Sequence, residues 1–195
     1  MAATYQPSQW LIPKNANTDK VGNYSFDLDG TGDYILLGDN FDSVFTGADW
    51  SLSAWINSSA NVGYDCIFSK GLPVQFYVQS NKVKIWLGYD AAYLVNMTPL
   101  ESATTLSLDT WYHIVFTRSG NDNILYINGV SDATATSVGS MTASADEAAI
   151  GTYVPQPTNY PFAGNISELS IFNYKLEADE VTTLYGSAET GVGNP

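Results

Sequence analysis

A chain of 195 residues, 45% hydrophobic and 14% charged, is long enough for one well-buried core and too apolar to stay disordered. Its 20 Asp and Glu against 7 Lys and Arg give a formal charge of −13, which repels nucleic acid and anionic membrane surfaces, because phosphate binding needs clustered Lys and Arg. The single Cys excludes an intrachain disulfide, and no apolar run approaches the ~20 residues that span a membrane.

In chain order, residues 1–22 carry scattered Pro and Asn and are expected to form a strap or edge strand. Met1 to Lys20 has no basic start followed by an apolar run, so a secretory signal is not expected there. Turn residues then punctuate the chain at short intervals. Strand-like runs lie between them at Tyr24–Leu28, Asp33–Leu37, Ser51–Asn57, Asp65–Ser69, Val74–Ser80, Lys82–Leu87, Tyr112–Thr117, Ile124–Ile127, Ala148–Gly151 and Ile166–Phe172. Cys66 falls inside one of them and reads as a buried, inert thiol. The one helix expected is Ala178–Tyr185, with Glu177, Asp179 and Glu180 at its start and Gly186 after its end. Residues 187–195 read as a tail or linker. Many strands and almost no helical periodicity predict an all-β, two-sheet antiparallel sandwich over residues 23–186. Phe26, Leu52, Ile56, Phe76, Val78, Ile85, Ile114, Phe116 and Ile171 lie on the apolar parity of their strands and are the expected core.

The stretch Thr110–Val130 reads as a β-hairpin. A Trp- and His-bearing strand, a Ser119-Gly120-Asn121-Asp122-Asn123 turn and a Leu125-Tyr126-Ile127-Asn128-Gly129 return follow one another. Its wording resembles the central hairpin of laminin G-like domains, in the concanavalin A-like lectin/glucanase superfamily. Three more segments share that resemblance. Ser25–Ile35, with Phe26-Asp27-Leu28-Asp29-Gly30 and Asp33-Tyr34-Ile35, is similar to the opening hairpin of such domains. Trp50–Ile56, with Ala54-Trp55-Ile56, is similar to the strand after it. Phe162–Asn173, followed by Leu176–Leu184, is similar to the last long strand and the short helix behind it. Four motifs in order over Ser25–Tyr185 imply a jelly-roll sandwich and a glycan-binding rather than a catalytic role. The resemblance also implies one structural calcium near the Asp29–Asp33 turn, with Asp29, the Gly30 carbonyl, Asp33 and Glu168 as oxygen donors. Ser167 stands where many relatives carry Asp, and a hydroxyl is a poor ligand for a hard cation. The alternative is that Asp29–Asp33 is simply a turn.

No enzymatic constellation is legible. Glycanases need carboxylates flanking the scissile bond about 5–5.5 Å apart, and no strand carries Glu-x-Asp-x-x-Glu. The only His, His113, lacks a triad, and no Ser stands in a Gly-x-Ser-x-Gly elbow. A binding face is legible instead. Across a Ser80-Asn81 turn, Val74, Phe76, Val78, Val83, Ile85 and Leu87 share one face, while Gln75, Tyr77, Lys84 and Trp86 share the other. An aromatic plane beside amide and ammonium groups suits a pyranose, whose C–H face stacks on the ring while its hydroxyls bond the polar groups. A structural reading of Trp86, packed under a neighbouring loop, stands beside this one. Trp55 shares its parity with Ser51, Ser53 and Asn57, so it too stands on a polar face or serves a structural role. The loops holding Tyr89 and Tyr93, and Tyr153 and Tyr160, add exposed-looking rings, with Pro155, Pro157 and Pro161 stiffening the second.

The sequence therefore predicts a non-catalytic carbohydrate-binding module, part of a virion or extracellular surface. Its partners would be glycans or glycoconjugates and other subunits of the assembly, with no nucleic acid and no membrane insertion. The rival readings are a structural or decoration protein that binds other subunits, and a polysaccharide-degrading glycanase or lyase.

Overall fold

Strand alternation organises the molecule, because each strand commits one row of side chains to the interior. The computed structural model describes residues 25–60, 63–88, 99–137, 141 and 143–186. The expected strap (1–22), the tail (187–195) and the loop with Tyr89 and Tyr93 lie outside the described residues. Within them, two six-stranded antiparallel sheets form a jelly-roll sandwich. Sheet A runs in the order β1 (Phe26–Asp29), β12 (Ala163–Phe172), β3 (Asp49–Ser58), β8 (Trp111–Ser119), β9 (Asp122–Ile127), β10 (Val130–Thr136). Sheet B runs β2 (Ile35–Gly38), β11 (Ala148–Ile150), β4 (Asp65–Lys70), β5 (Val74–Gln79), β6 (Lys82–Leu87), β7 (Leu100–Glu101). The helices are α1 (Asp42–Phe45) and α2 (Ala178–Tyr185), the second with a reciprocal capping box between Glu177 and Glu180.

The two inner faces meet around Trp50, which is fully buried. Its ring lies 5.0 Å from Phe45, 5.0 Å from Phe116 and 6.5 Å from Phe76, so it touches α1, its own sheet and the opposite sheet at once. Leu52, Ile56, Ile114 and Phe116 from sheet A and Phe76, Val78 and Ile85 from sheet B complete the same core, as their parity predicts. Ile171 packs against it half-buried. Phe26 is the correction: it is 53% exposed, because it opens an edge strand at the end of the sandwich while Leu28, two residues on, is buried.

Three further differences have physical causes. Ser25–Ile35 is not a hairpin, because β1 edges sheet A and β2 edges sheet B, so the Asp29–Asp33 turn carries the chain from one sheet to the other. Strands β7 and β10 escape the sequence pattern because β7 is only two residues long and β10 is an edge strand of small, largely polar residues. In β10 a bulge falls between Ser131 and Ala133, and Asp132 accepts hydrogen bonds from Ala103 N (2.6 Å) and Thr104 N (3.1 Å). A bulge and a charged residue on an edge also discourage pairing with another chain. Finally, α1 is a single turn and has no room for helical periodicity.

The outer face of sheet A is covered as well. Val115 and Tyr126 pack against Leu176 and Val181, which explains why the central hairpin is apolar on both parities. Ser51 ties the cover down: its Oγ donates to Tyr174 O (3.0 Å) and accepts from Leu176 N (2.8 Å). In urea denaturation, Trp50→Ala is expected to cost about 4 kcal/mol, as large aromatic truncations in cores do. Phe26→Ala is expected to cost less than about 1 kcal/mol, since an exposed ring loses little packing.

Candidate functional site

The β5–β6 hairpin is set by its turn. Ser80 and Asn81 both have positive φ (54° and 59°), the geometry of a two-residue turn that keeps the strands in tight register. Gln75 therefore faces Trp86, Tyr77 faces Lys84 and Gln79 faces Lys82. Gln75, Lys84 and Trp86 are half-buried on the outer face of sheet B, so the ring of Trp86 is neither sealed in the core nor fully open. Lys84 is not a free ammonium. Its Nζ lies 2.8 Å from Glu101 Oε2, its cross-strand partner on β7. That hydrogen bond holds the Glu101 carboxyl below its usual range. Lys82 is engaged too, donating to the Ala103 carbonyl.

Tyr77 joins this face to the Tyr-bearing loop. It is 7% exposed because Tyr64 lies over it with ring centroids 5.4 Å apart. Tyr64 meets Tyr160 at 5.4 Å, and Tyr160 meets Tyr153 at 5.4 Å. Four tyrosines thus form a continuous row. Desolvation pushes the Tyr77 phenol up to about 12, so it stays a neutral hydrogen-bonding group across the physiological range. Burial likewise raises the Cys66 thiol, which is inert as expected.

The row assigns its members different tasks. Tyr153, expected to be exposed, is buried at the foot of the loop, and Tyr160 is half-buried. Tyr64 is the open ring, 45% exposed. The sequence pattern did not single it out, although it shares the parity of Cys66, which lies opposite Tyr77. The supporting loop is braced internally. Gln156 N donates to Tyr153 O (2.9 Å), Asn159 N to Gln156 O (3.0 Å) and Thr152 Oγ1 to Pro157 O (3.0 Å). Cys66 N donates to Tyr160 O (3.2 Å) and pins the loop to β4. A pre-ordered loop loses little entropy on binding.

Of the expected metal ligands, Asp29, Gly30 and Asp33 share one turn. Asp29 Oδ1 accepts from Thr31 N (2.7 Å) and Asp33 Oδ2 from Asp29 N (3.3 Å), so both carboxylates serve the turn itself. Hydrogen bonds from the Thr31 side chain and backbone lower the Asp29 carboxyl below its ordinary value. Gly30 has positive φ (76°), and a Cβ there would come 2.8 Å from that of Ala163. Asp29 pairs with Ala163, whereas Glu168 stands five residues further along β12, about 16 Å away at the strand rise. Glu168 thus stands apart from the turn that holds Asp29, Gly30 and Asp33. Among the described residues no group of three or more His, Cys, Asp and Glu side chains is placed to hold a metal ion.

Trp55 and His113 are structural. Trp55 is 1% exposed on the outer face of sheet A, stacked on Tyr185 of α2 at 5.7 Å and 5.0 Å from the His113 ring. His113 Nε2 lies 2.9 Å from Ser53 Oγ, and desolvation lowers its pKa to about 4.

The chain belongs to the concanavalin A-like lectin/glucanases superfamily, as a laminin G-like family model matches residues 29–182. No curated protein matches it significantly. Among solved structures it is similar to domain 4 of an extracellular arabinanase from Geobacillus stearothermophilus in complex with arabinotriose, at 21% identity and a TM-score of 0.57, covering 82% of this chain and 75% of that one. A heptameric SAP-like pentraxin from Limulus polyphemus matches at 20% identity and 0.54, covering 72% and 70%. A putative carbohydrate binding protein from Bacteroides ovatus matches at 15% identity and 0.64, covering 76% of this chain but 43% of that one. These likenesses establish a shared fold.

Burial of His113 makes stability fall with acid. Its folded pKa lies below that of the unfolded chain, so between about 6.5 and 4 the unfolded state binds a proton that the folded state refuses. The loss is expected to begin below pH 6.5 and to reach about 3 kcal/mol near pH 4. His113→Gln should flatten that slope in urea denaturation series at pH 7.0, 5.5 and 4.5, values chosen to bracket roughly this window.

Proposed function

We propose that this protein is a non-catalytic carbohydrate-binding module that holds a neutral glycan on the outer face of sheet B. The observation that carries the reading is the half-buried Trp86 beside Gln75, continued through Tyr77 to the open ring of Tyr64 and the braced Tyr160 loop. Rings of this kind stack on the C–H faces of sugars, and Gln75 with the Lys84–Glu101 pair offers donors and acceptors for hydroxyls. A neutral ligand fits best, because Lys84 is already committed to Glu101 and the chain is strongly acidic. Among the residues that the hairpin register places on this face, the one carboxylate, Glu101, is held in that ion pair, which supports a role without catalysis. The carbohydrate names borne by two of the similar structures point the same way.

A component of a virion or cell-surface assembly suits this reading, since many weak sites on one particle add up by avidity. A second reading, the binding of other subunits, is favoured by a different feature. A shallow groove of about 270 Å³ lies between the end of β12 and α2, lined by Phe172, Tyr174, Leu176 and Leu184 with Asp179 and Glu180 at its side.

Glycan arrays followed by calorimetry on the retained oligosaccharides test the first reading. A Kd of about 10⁻⁵ to 10⁻³ M per site is expected, as shallow sugar sites exchange each polar contact for water. Trp86→Ala and Tyr64→Ala should each weaken binding at least tenfold, or about 1.4 kcal/mol, while the far-UV spectrum stays unchanged. If both variants fold and bind as the parent does, the site is elsewhere. Binding of a protein subunit that survives both variants and fails in Leu184→Asp would favour the groove.

A further inference from the structure

The end of β4 carries a charge arrangement unlike any other described in the molecule. Lys70 is the last residue of that strand, and its side chain is 1% exposed. A lysine this deep is costly unless every proton of its ammonium is satisfied and its charge is matched. Here three oxygens accept those protons: Asp39 Oδ1 at 2.5 Å, Asp146 O at 2.5 Å and Ser144 O at 2.7 Å. Asp42 Oδ1 stands at 3.4 Å as a fourth. These oxygens come from three separate places, namely the segment between β2 and α1, the first residue of α1, and the segment before β11. They are also tied to one another. Ser144 N donates to Asp42 Oδ1 (3.3 Å), and Ser144 Oγ to Asp146 Oδ2 (3.0 Å). Gly71, with φ of 55°, leaves the room that the Asp146 side chain fills, since a Cβ there would come 2.1 Å from its carboxylate.

All four oxygens converge on one point, and all are hard donors. Two are carboxylate and two are carbonyl, the set that calcium takes, at 2.3–2.6 Å with six to eight ligands, in preference to the nitrogen and sulfur sets of zinc. The charge count points the same way. Asp39, Asp42 and the neighbouring Asp146 bring three formal negative charges to a corner where Lys70 supplies one positive charge. Both Asp39 and Asp42 keep an outer side open to water, with side chains 53% and 36% exposed. They have freedom to turn, to offer second oxygens, and to admit waters as further ligands.

We infer that the Lys70 ammonium is a resident cation filling a position built for one, and that removing its head opens a divalent-metal site of calcium's chemistry at Asp39, Asp42, Ser144 O and Asp146 O. In the wild-type chain the ammonium bars a metal from that point, so the corner is locked without one. This inference is independent of the sugar reading, since the cage and the tyrosine row share no residue.

The test compares thermal melting of the wild type and Lys70→Ala in EDTA and in roughly 10 mM calcium, with magnesium alongside. Lys70→Ala should melt lower than wild type in EDTA, and calcium should raise it by about 5 °C more than it raises the wild type. Adding Asp39→Asn to Lys70→Ala should remove that gain. Equal responses of Lys70→Ala and wild type to calcium would overturn the inference. Should Lys70→Ala fail to fold in EDTA, Lys70→Gln, which keeps a hydrogen-bonding head, runs through the same comparison. Folding of either variant only in calcium supports the inference, and no calcium effect on either one overturns it.

Discussion

Each sheet must bury one face, and the burial around Trp50 settles which one. The indole bridges α1, β8 and β5, and the remaining inner-face side chains fall into place around it because strand parity allows no other row to face inward. What differs between the sheets is the second face. On sheet A, α2 and the segment before it cover Val115, Tyr126 and Trp55, and the hydroxyl of Ser51 fastens the cover. On sheet B the outer face carries glutamine, lysine, tyrosine and tryptophan instead. The same alternation that makes the core thus leaves one polar and aromatic face on the outside.

That face was largely legible in the sequence. The row Val74–Leu87 alternates without a break, and Ser80-Asn81 tolerates the positive φ its turn demands, so every cross-strand pair follows from the turn. The α2 helix was legible for similar reasons, since Glu177 and Glu180 mark its start and Gly186 its end. Tyr64 was not, because its value lies in standing between Tyr77 and Tyr160, a relation made only when β4 pairs with β5 and the 152–161 loop folds over both. Strand β10 was missed because its side chains are small and largely polar, and it is placed by pairing to β9 with only Ala133 and Ala135 reaching the core.

A linear motif does not by itself say which of its residues meet. Asp29, Asp33 and Glu168 sit within familiar wording, yet antiparallel pairing sets Asp29 against Ala163 and leaves Glu168 well up the strand. Proximity in a sheet is decided by register, and register is not contained in any one motif. The oxygen cage that does form, around Lys70, is assembled from three distant segments and held by a charge that the chain itself supplies. At His113, by contrast, burial alone favours the neutral ring, with Ser53 Oγ 2.9 Å from Nε2.

The most direct measurement of the account is an amide chemical-shift titration of the labelled protein with a glycan selected on an array. The account predicts shifts confined to sheet B's outer face: Tyr64, Gln75 to Trp86, Glu101 and the loop from Tyr153 to Tyr160. Shifts centred on α2 and the outer face of sheet A, with the β5–β6 hairpin unmoved, would contradict it.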